Sequence, residues 1–240
     1  MYRGKSIVLI MPAKDEALSL PSVLVSVPKE VDQSLVVNNG SKDDTADVAR
    51  NCGVHVVDEP RSGYGRACLA GVGMLEKNPP DIVAFADADG SDDISRLFKL
   101  VDPLIDGKAD FVLESRFPAE HGALSQQQRF GNRLATFLIN LFWGHKYSDL
   151  GPMRVIRWDC LKKLRMNDTN YGWTVQMQIR AVKEGLRVLE CPLPYRNRVA
   201  GVSKVSRNLY GSVRAGVKIL WVIFQELCDA SIYSSSMRLK

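Results

Sequence analysis

The chain has 240 residues, 45% hydrophobic and 25% charged, with 18 Gly and 11 Pro, which excludes a disordered, collagen-like or low-complexity protein and suits one large domain. A net charge of +5, from 32 Lys and Arg against 27 Asp and Glu, is too slight for nucleic acid and fits anionic small molecules or an anionic membrane surface. Five cysteines without C-x-x-C spacing and the isolated His55, His121 and His145 argue against a disulfide framework or zinc site and for a reducing, cytoplasmic setting.

In chain order, apolar runs at residues 6–11, 34–38, 54–58, 82–86 and 110–114 predict buried strands. The first is too short for a signal-peptide core or a membrane span. Segments 17–26, 43–52, 64–77 and 92–105 have helical spacing. This alternation predicts parallel crossovers and a mainly parallel α/β sheet with helices on both faces, which binds ligands beyond the carboxyl ends of its strands. After Arg116 the alternation breaks. Helices are expected at 126–144 and 171–184, a strand at 186–195 and a long last helix at 206–228. Neither G-x-G-x-x-G nor G-x-x-x-x-G-K-[ST] occurs, which disfavours a Rossmann dinucleotide site and a P-loop.

Asp87 and Asp89 are the sharpest feature. They follow the buried run Ile82-Val83-Ala84-Phe85-Ala86, and residues i and i+2 of an extended chain point the same way. Two readings fit. The pair holds Mg²⁺ or Mn²⁺, whose hard-oxygen preference leaves coordination positions for phosphate, or it caps the next helix, as Asp92 and Asp93 are expected to do. Arg61 and Arg66 flank Ser62-Gly63-Tyr64-Gly65, a loop suited to phosphates or simply to solvent.

Context favours the first reading of the aspartates. Pro12-Ala13-Lys14-Asp15-Glu16, Asn38-Asn39-Gly40-Ser41-Lys42-Asp43-Asp44-Thr45 and Asp87-Ala88-Asp89 resemble, in order, the P-A-x-N-E, V-D-D/N-G-S-x-D-x-T and DxD motifs of glycosyltransferase family 2, which has the GT-A fold. Glu114-Ser115-Arg116-Phe117, Asp149-Leu150-Gly151-Pro152-Met153-Arg154 and Arg198, Gly201, Ser203 and Lys204 are similar to motifs of dolichyl-phosphate mannose synthases and bacterial polyprenyl-phosphate sugar synthases. The resemblance runs over roughly residues 6 to 206. It implies a single GT-A domain over 1–240, with a nucleotide-sugar half to about 115, an acceptor half to about 206 and a C-terminal helical elaboration to about 230.

It also implies an inverting, metal-dependent transfer from a nucleotide-diphosphate sugar. Pro12, Ala13, Lys14, Glu16, Asn38, Asn39, Arg61, Asp87 and Ala88 would bind the donor, and Asp87, Asp89 and Ser91 the Mg²⁺ or Mn²⁺. Ser91 stands where the mannose synthases have Gln. Asn38 replaces the usual carboxylate, and its amide oxygen suits uracil N3–H, so a UDP-sugar is favoured. Arg116, Arg129, Arg198, Ser203 and Lys204 would gather the acceptor, a polyprenyl phosphate, whose anionic oxygen needs no general base. Gln176, where many relatives carry Glu, cannot be a base and would touch the acceptor. Asp89, Asp149 and Arg116 are the expected catalytic residues, with Asp149 a fallback base for a soluble hydroxyl acceptor or a support for Arg154. A silent nucleotide-sugar-binding module is the remaining alternative.

In the last helix Leu209, Val213, Val217, Leu220, Phe224 and Leu227 recur at helical spacing, interrupted by Arg214 and Lys218. They predict packing against the sheet or a homodimer partner, or else an interfacial helix, with Trp221 at the headgroups, that holds the protein peripherally on a membrane.

Overall fold

The computed structural model describes residues 1–200 and 209–237. Its first half alternates as the sequence predicts: β1 (Ile7–Ala13), α1 (Leu20–Val25), β2 (Gln33–Asn38), α2 (Thr45–Asn51), β3 (His55–Asp58), α3 (Tyr64–Met74), β4 (Ile82–Phe85), a 3₁₀ turn (Ile94–Arg96) and α4 (Phe98–Ile105). The second half holds β5 (Phe111–Ala119), α5 (Gln126–Trp143), β6 (Arg154–Arg157), α6 (Trp158–Leu164), α7 (Trp173–Lys183), β7 (Val188–Tyr195) and α8 (Leu209–Met237). β6 and α6 were not anticipated. The expected helix at 92–105 is a 3₁₀ turn and then α4, divided at Leu97, with Asp92 and Asp93 standing before both.

The seven strands form one sheet in the order β3-β2-β1-β4-β6-β5-β7, and only β6 runs antiparallel to its neighbours. β1 shows why the sheet is buried on both sides. Val8 and Ile10 enter one apolar cluster with Leu35, Ala67, Ile139 and Trp173, while Ile7, Leu9 and Met11 enter the other with Leu20, Ala49 and Leu100. Alternate side chains of an apolar strand feed opposite faces, so both need helices.

α5 begins in a capping box, in which Ser125 Oγ accepts the Gln128 N–H and Gln128 Oε1 accepts the Ser125 N–H. This satisfies two donors that a helix start otherwise leaves bare. α8 packs on α5 and α7, through a face that takes Leu227 of its apolar series and leaves Val213, Val217, Leu220 and Phe224 outside, as the interfacial alternative expects. Ala215, Val222, Ile223 and Glu226 are buried, while Val213, Val217, Leu220, Trp221 and Phe224 point outward. The cause is Glu226, which Arg180 Nε (2.6 Å) and Lys183 Nζ (2.9 Å) of α7 hold inside. Among the described residues no helix is long and apolar enough to cross a membrane.

Candidate active site

The carboxyl ends of β1, β4 and β5 open into a cavity of about 660 Å³. Pro12, Ala13, Lys14, Glu16, Asn39, Asp87, Ala88, Asp89, Ser91, Arg116 and Arg198 all line it, joined by Ser62, Gly63, Tyr195 and Arg214. Five expected residues are not among those lining it: Asn38, Arg61, Arg129, Asp149 and Gln176. Ser203 and Lys204 lie outside the described residues.

The donor-side loops are tied to one another. Ser19 Oγ donates to Ala88 O (2.8 Å) and lies 3.0 Å from Glu16 Oε2, joining the first loop to the DxD loop. Asn39 Oδ1 accepts the Gly63 N–H (2.8 Å), and its Nδ2 donates to Arg61 O (2.9 Å). Asn39 thus shapes the cavity through backbone atoms. Asn38 is used at the strand end: Nδ2 donates to Asp58 Oδ1 (2.8 Å) and Oδ1 accepts the Ser41 N–H (3.2 Å). The Arg61 guanidinium folds back onto Glu59, with Nε at 2.9 Å and Nη2 at 3.0 Å, and stays 70% exposed.

Asp87 and Asp89 emerge from β4 into strained electrostatics. Asp87 Oδ1 is buried with no hydrogen-bond partner. Burial, then the charges of Asp92 and Asp89, raises the Asp87 pKa well above the carboxylate norm. Asp89 Oδ1 accepts the Ser91 N–H (2.8 Å), while Oδ2 accepts from Arg198 Nη2. The expectation that Asp92 and Asp93 cap the next helix is corrected. Asp92 Oδ2 accepts the Asp87 N–H (2.9 Å), bracing the loop, and Asp93 pairs with Ser95, Arg96 and Arg196. Burial raises the Asp92 pKa as well, followed by Glu114 and Asp89. An orphaned carboxylate oxygen beside a second aspartate fits a divalent cation. No group of three His, Cys, Asp or Glu side chains is gathered for a metal among the described residues, so further ligands would come from phosphate.

Across the cavity, Arg116 grips Asp149 bidentately, Nε to Oδ2 and Nη2 to Oδ1, both at 2.7 Å, and its guanidinium lies 5.3 Å from the centre of the Tyr195 ring. Burial alone would raise the Asp149 pKa, but the Arg116 hydrogen bonds and charge bring it below the usual value. Asp149 therefore supports Arg116, where the sequence had offered Arg154. Arg154 is 1% exposed and donates instead to the carbonyls of Pro152 (3.2 Å), Thr174 (3.2 Å) and Gly151.

Gln176 belongs to a scaffold away from the cavity. Its Oε1 accepts the N–H groups of Asn167 (3.0 Å) and Asp168 (2.9 Å), and its Nε2 donates to Asn167 Oδ1 (2.7 Å) and Glu226 Oε1 (3.3 Å). A carboxylate at 176 would face Glu226 as a like charge, so the amide is the form this contact needs. Arg129 is exposed on α5, with Nε 3.4 Å from Leu124 O. The sequence reading missed Arg214 and Tyr195 as cavity residues. Arg214 had a signal, a charge breaking an apolar helix; Tyr195 had none.

An uncharacterized glycosyltransferase of Mycobacterium tuberculosis (strain H37Rv) is 40% identical over 212 residues, covering 88% of this chain and 95% of that protein. The dolichyl-phosphate hexose transferase of Haloferax volcanii is 29% identical over 94% of this chain and 97% of its own length. Among solved structures, glucosyl-3-phosphoglycerate synthase from M. tuberculosis, in complex with Mn²⁺, UDP-glucose and phosphoglyceric acid, shares the GT-A fold with a TM-score of 0.77 at 21% identity, covering 93% of this chain and 80% of that one. The family model described as glycosyl transferase family 2 matches residues 8–165. With the motifs in order at the strand ends and the fold around them, the chain belongs to glycosyltransferase family 2 and is a glycosyltransferase.

Proposed function

We propose that this enzyme transfers a hexose from a UDP-sugar to a polyprenyl phosphate at a membrane surface, with inversion and without a covalent enzyme intermediate. The observation that carries the reading is the electrostatics of the cavity. Lys14, Arg116, Arg198 and Arg214 all line it, and Asp149, the candidate base, is tied up in a bidentate ion pair. A hydroxyl acceptor needs a base to take its proton, whereas a phosphate oxygen arrives deprotonated and needs cations to bring it to an anionic donor. Arg116, held flat by Asp149, is the pre-oriented fork for that phosphate. The dolichyl-phosphate relative supports the acceptor class, and the UDP-glucose complex of the structural neighbour supports the donor.

Asp87 and Asp89, with Ser91 beside them, would hold Mg²⁺ or Mn²⁺, whose chemistry is to offset the negative charge of the departing diphosphate. Lys14, held by Ser62 Oγ at 2.7 Å, supplies fixed positive charge on the donor side. The backbone around Pro12 and Gly63, braced by Asn39, forms the wall for base and ribose. Asn38 and Arg61 act there only through the loop geometry that they stabilise.

The outward faces of α5 and α8 support membrane contact. Phe130 (70% exposed), Phe137 and Leu141 on α5 and Val213, Val217, Leu220, Trp221 and Phe224 on α8 form an apolar surface. Of the basic residues on these stretches, Lys218 is tied to Asp168 (2.7 Å) and Arg214 lines the cavity, which leaves Arg129 and Arg133 of α5 beside the apolar side chains. Apolar area flanked by arginine suits anionic lipid. Ser125, Gln128 and Arg214 of these helices also line the cavity, so a docked surface would present lipid phosphate to Arg116.

The test incubates the enzyme with labelled UDP-sugars, Mn²⁺ and either a polyprenyl phosphate in detergent or water-soluble acceptors. Label entering the organic phase supports the reading; label confined to a water-soluble product overturns the acceptor assignment. The phosphoglyceric acid in the structural neighbour makes a soluble phosphorylated acceptor the second reading.

A further inference from the structure

Arg198 sits on the carboxylate that the cation would need. Its Nη2 donates to Asp89 Oδ2, and its Nη1 lies 3.5 Å from Glu16 Oε1, so one guanidinium spans the two acids on either side of the donor cavity. The contact belongs to a built strap. Val199 N–H donates to Asp89 O (3.0 Å), Arg196 N–H donates to Ser91 O (2.9 Å), and Tyr195 bridges Asp92. Gly90 between them has φ +80°, and a Cβ there would stand 2.5 Å from Val199 Cγ2. The strap therefore lies directly on the DxD loop, and Arg198 is aimed by backbone pairing rather than by chance side-chain contact.

We propose that Arg198 is a resident counter-ion of the cation site, filling Asp89 until a divalent cation with the nucleotide diphosphate displaces it, and that the freed guanidinium then serves the acceptor anion. The inference rests on the reading of Asp87 and Asp89 as the cation site. Two positive groups cannot share one carboxylate oxygen without mutual repulsion. Asp89, paired in this way, is spared the unpaired state that leaves Asp87 Oδ1 orphaned. Donor would then bind before acceptor, because the arginine becomes available only when the cation arrives.

The test needs no turnover. Mn²⁺ is titrated into the full chain without nucleotide, and free Mn²⁺ is followed by its electron paramagnetic resonance signal. Arg198→Gln should bind Mn²⁺ about tenfold more tightly than the wild type, and Arg198→Lys, which keeps the competing charge, should stay near the wild type. Equal or weaker Mn²⁺ binding by a folded Arg198→Gln overturns the inference. A second measurement uses the wild type alone: Mn²⁺ with UDP should increase modification of Arg198 by phenylglyoxal, read by mass spectrometry, and unchanged modification at saturating Mn²⁺ and UDP counts against displacement. If UDP fails to bring Mn²⁺ onto the wild type at all, the cation reading falls with it. If UDP-dependent Mn²⁺ binding is intact while Arg198→Gln behaves as wild type, only the arginine inference falls.

Discussion

The two ends of the sheet treat carboxylates in opposite ways. At the amino end an aspartate stands immediately before β2, β4 and β5, and each accepts a backbone N–H from a neighbouring strand start: Asp32 from Ile7 (2.7 Å), Asp81 from Ser6 (2.9 Å) and Asp110 from Arg187 (2.9 Å). All three have lowered pKa values; at Asp110 the Arg187 hydrogen bonds take it to about 2. At the carboxyl end Asp87, Asp92 and Glu114 are raised, each chiefly by burial, and each keeps an oxygen with no partner. One edge ties its donors and acceptors off and gains stability. The other leaves buried carboxylates short of partners: Asp87 lines the cavity, where a ligand can supply one, while Asp92 and Glu114 are buried and not among its lining residues.

The largest expected effect sets the two ends directly against each other. Asp87→Asn should lower sugar transfer about a thousandfold, ~4 kcal/mol of barrier, and leave the melting temperature equal or higher. Asp81→Asn at the opposite edge should do the reverse, lowering the melting temperature with kinetics intact. Donor turnover with Mn²⁺ and thermal unfolding on the same preparations check both. An Asp87→Asn protein that melts early yet keeps its rate would break the contrast.

Asp149 departs from the pattern, because it lies at the carboxyl end with a lowered pKa. Its partner Arg116 is the reason, so removing Arg116 should return it to the frustrated group. Arg116→Ala is expected to cost roughly 3 kcal/mol of stability by leaving a buried carboxylate unpaired, and transfer should be lost with it. Adding Asp149→Ala should restore part of the stability and none of the activity. Denaturant unfolding of the single and double variants measures the split.

Glu114 gives a pH test. Burial raises its pKa from 4.5 to about 7. The native state therefore binds its proton more tightly than the unfolded chain does. The stability this lends is complete below pH 4.5 and is lost as pH rises through 7, a span worth roughly 3 kcal/mol. Glu114→Gln should match the wild type near pH 4.5 and exceed its stability increasingly up to pH 8, as an amide there can donate toward the unpartnered Asp92 Oδ1. A stability gap that does not vary with pH would show that Glu114 does not titrate in this window.

Much of the donor half was legible because its strands are unbroken apolar runs followed by polar loops, so Pro12 to Glu16 and Asp87 to Asp89 fall at strand ends by pattern alone. β6 was not legible. Arg154-Val155-Ile156-Arg157 is short and charged at both ends, and the burial of Arg154 depends on carbonyls of its own approach loop, Gly151 and Pro152, and of Thr174, which periodicity does not reveal. The same holds for the direction of Asn38, Arg61 and Gln176. Residue type was readable, but each side chain turned to a nearer partner, Asp58, Glu59 or the α7–α8 scaffold, that periodicity does not reveal. Of the two readings of the apolar series of α8, Val213, Val217, Leu220 and Phe224 take the outward one and Leu227 the inward one, because Glu226 is held inside by Arg180 and Lys183.

Asp110 supplies the smallest expected effect and fixes the sign at the satisfied edge. Its pKa falls from 3.8 to about 2, mainly through Arg187, against burial and with help from Arg157 at 2.9 Å. A lowered carboxylate adds stability above its unfolded pKa and loses it as pH drops toward the folded value. Arg187 is 54% exposed, so solvent screening reduces the gain to about 1 kcal/mol. Asp110→Asn should therefore be less stable than the wild type by that amount at pH 7, and the gap should close between pH 4 and pH 2. Glu114→Gln moves the other way along the same strand. Measured side by side by urea unfolding across pH, the two variants should diverge on opposite sides of the wild type at neutral pH, because a paired carboxylate stands just before β5 and a buried one with an unpartnered oxygen, Glu114, stands within it.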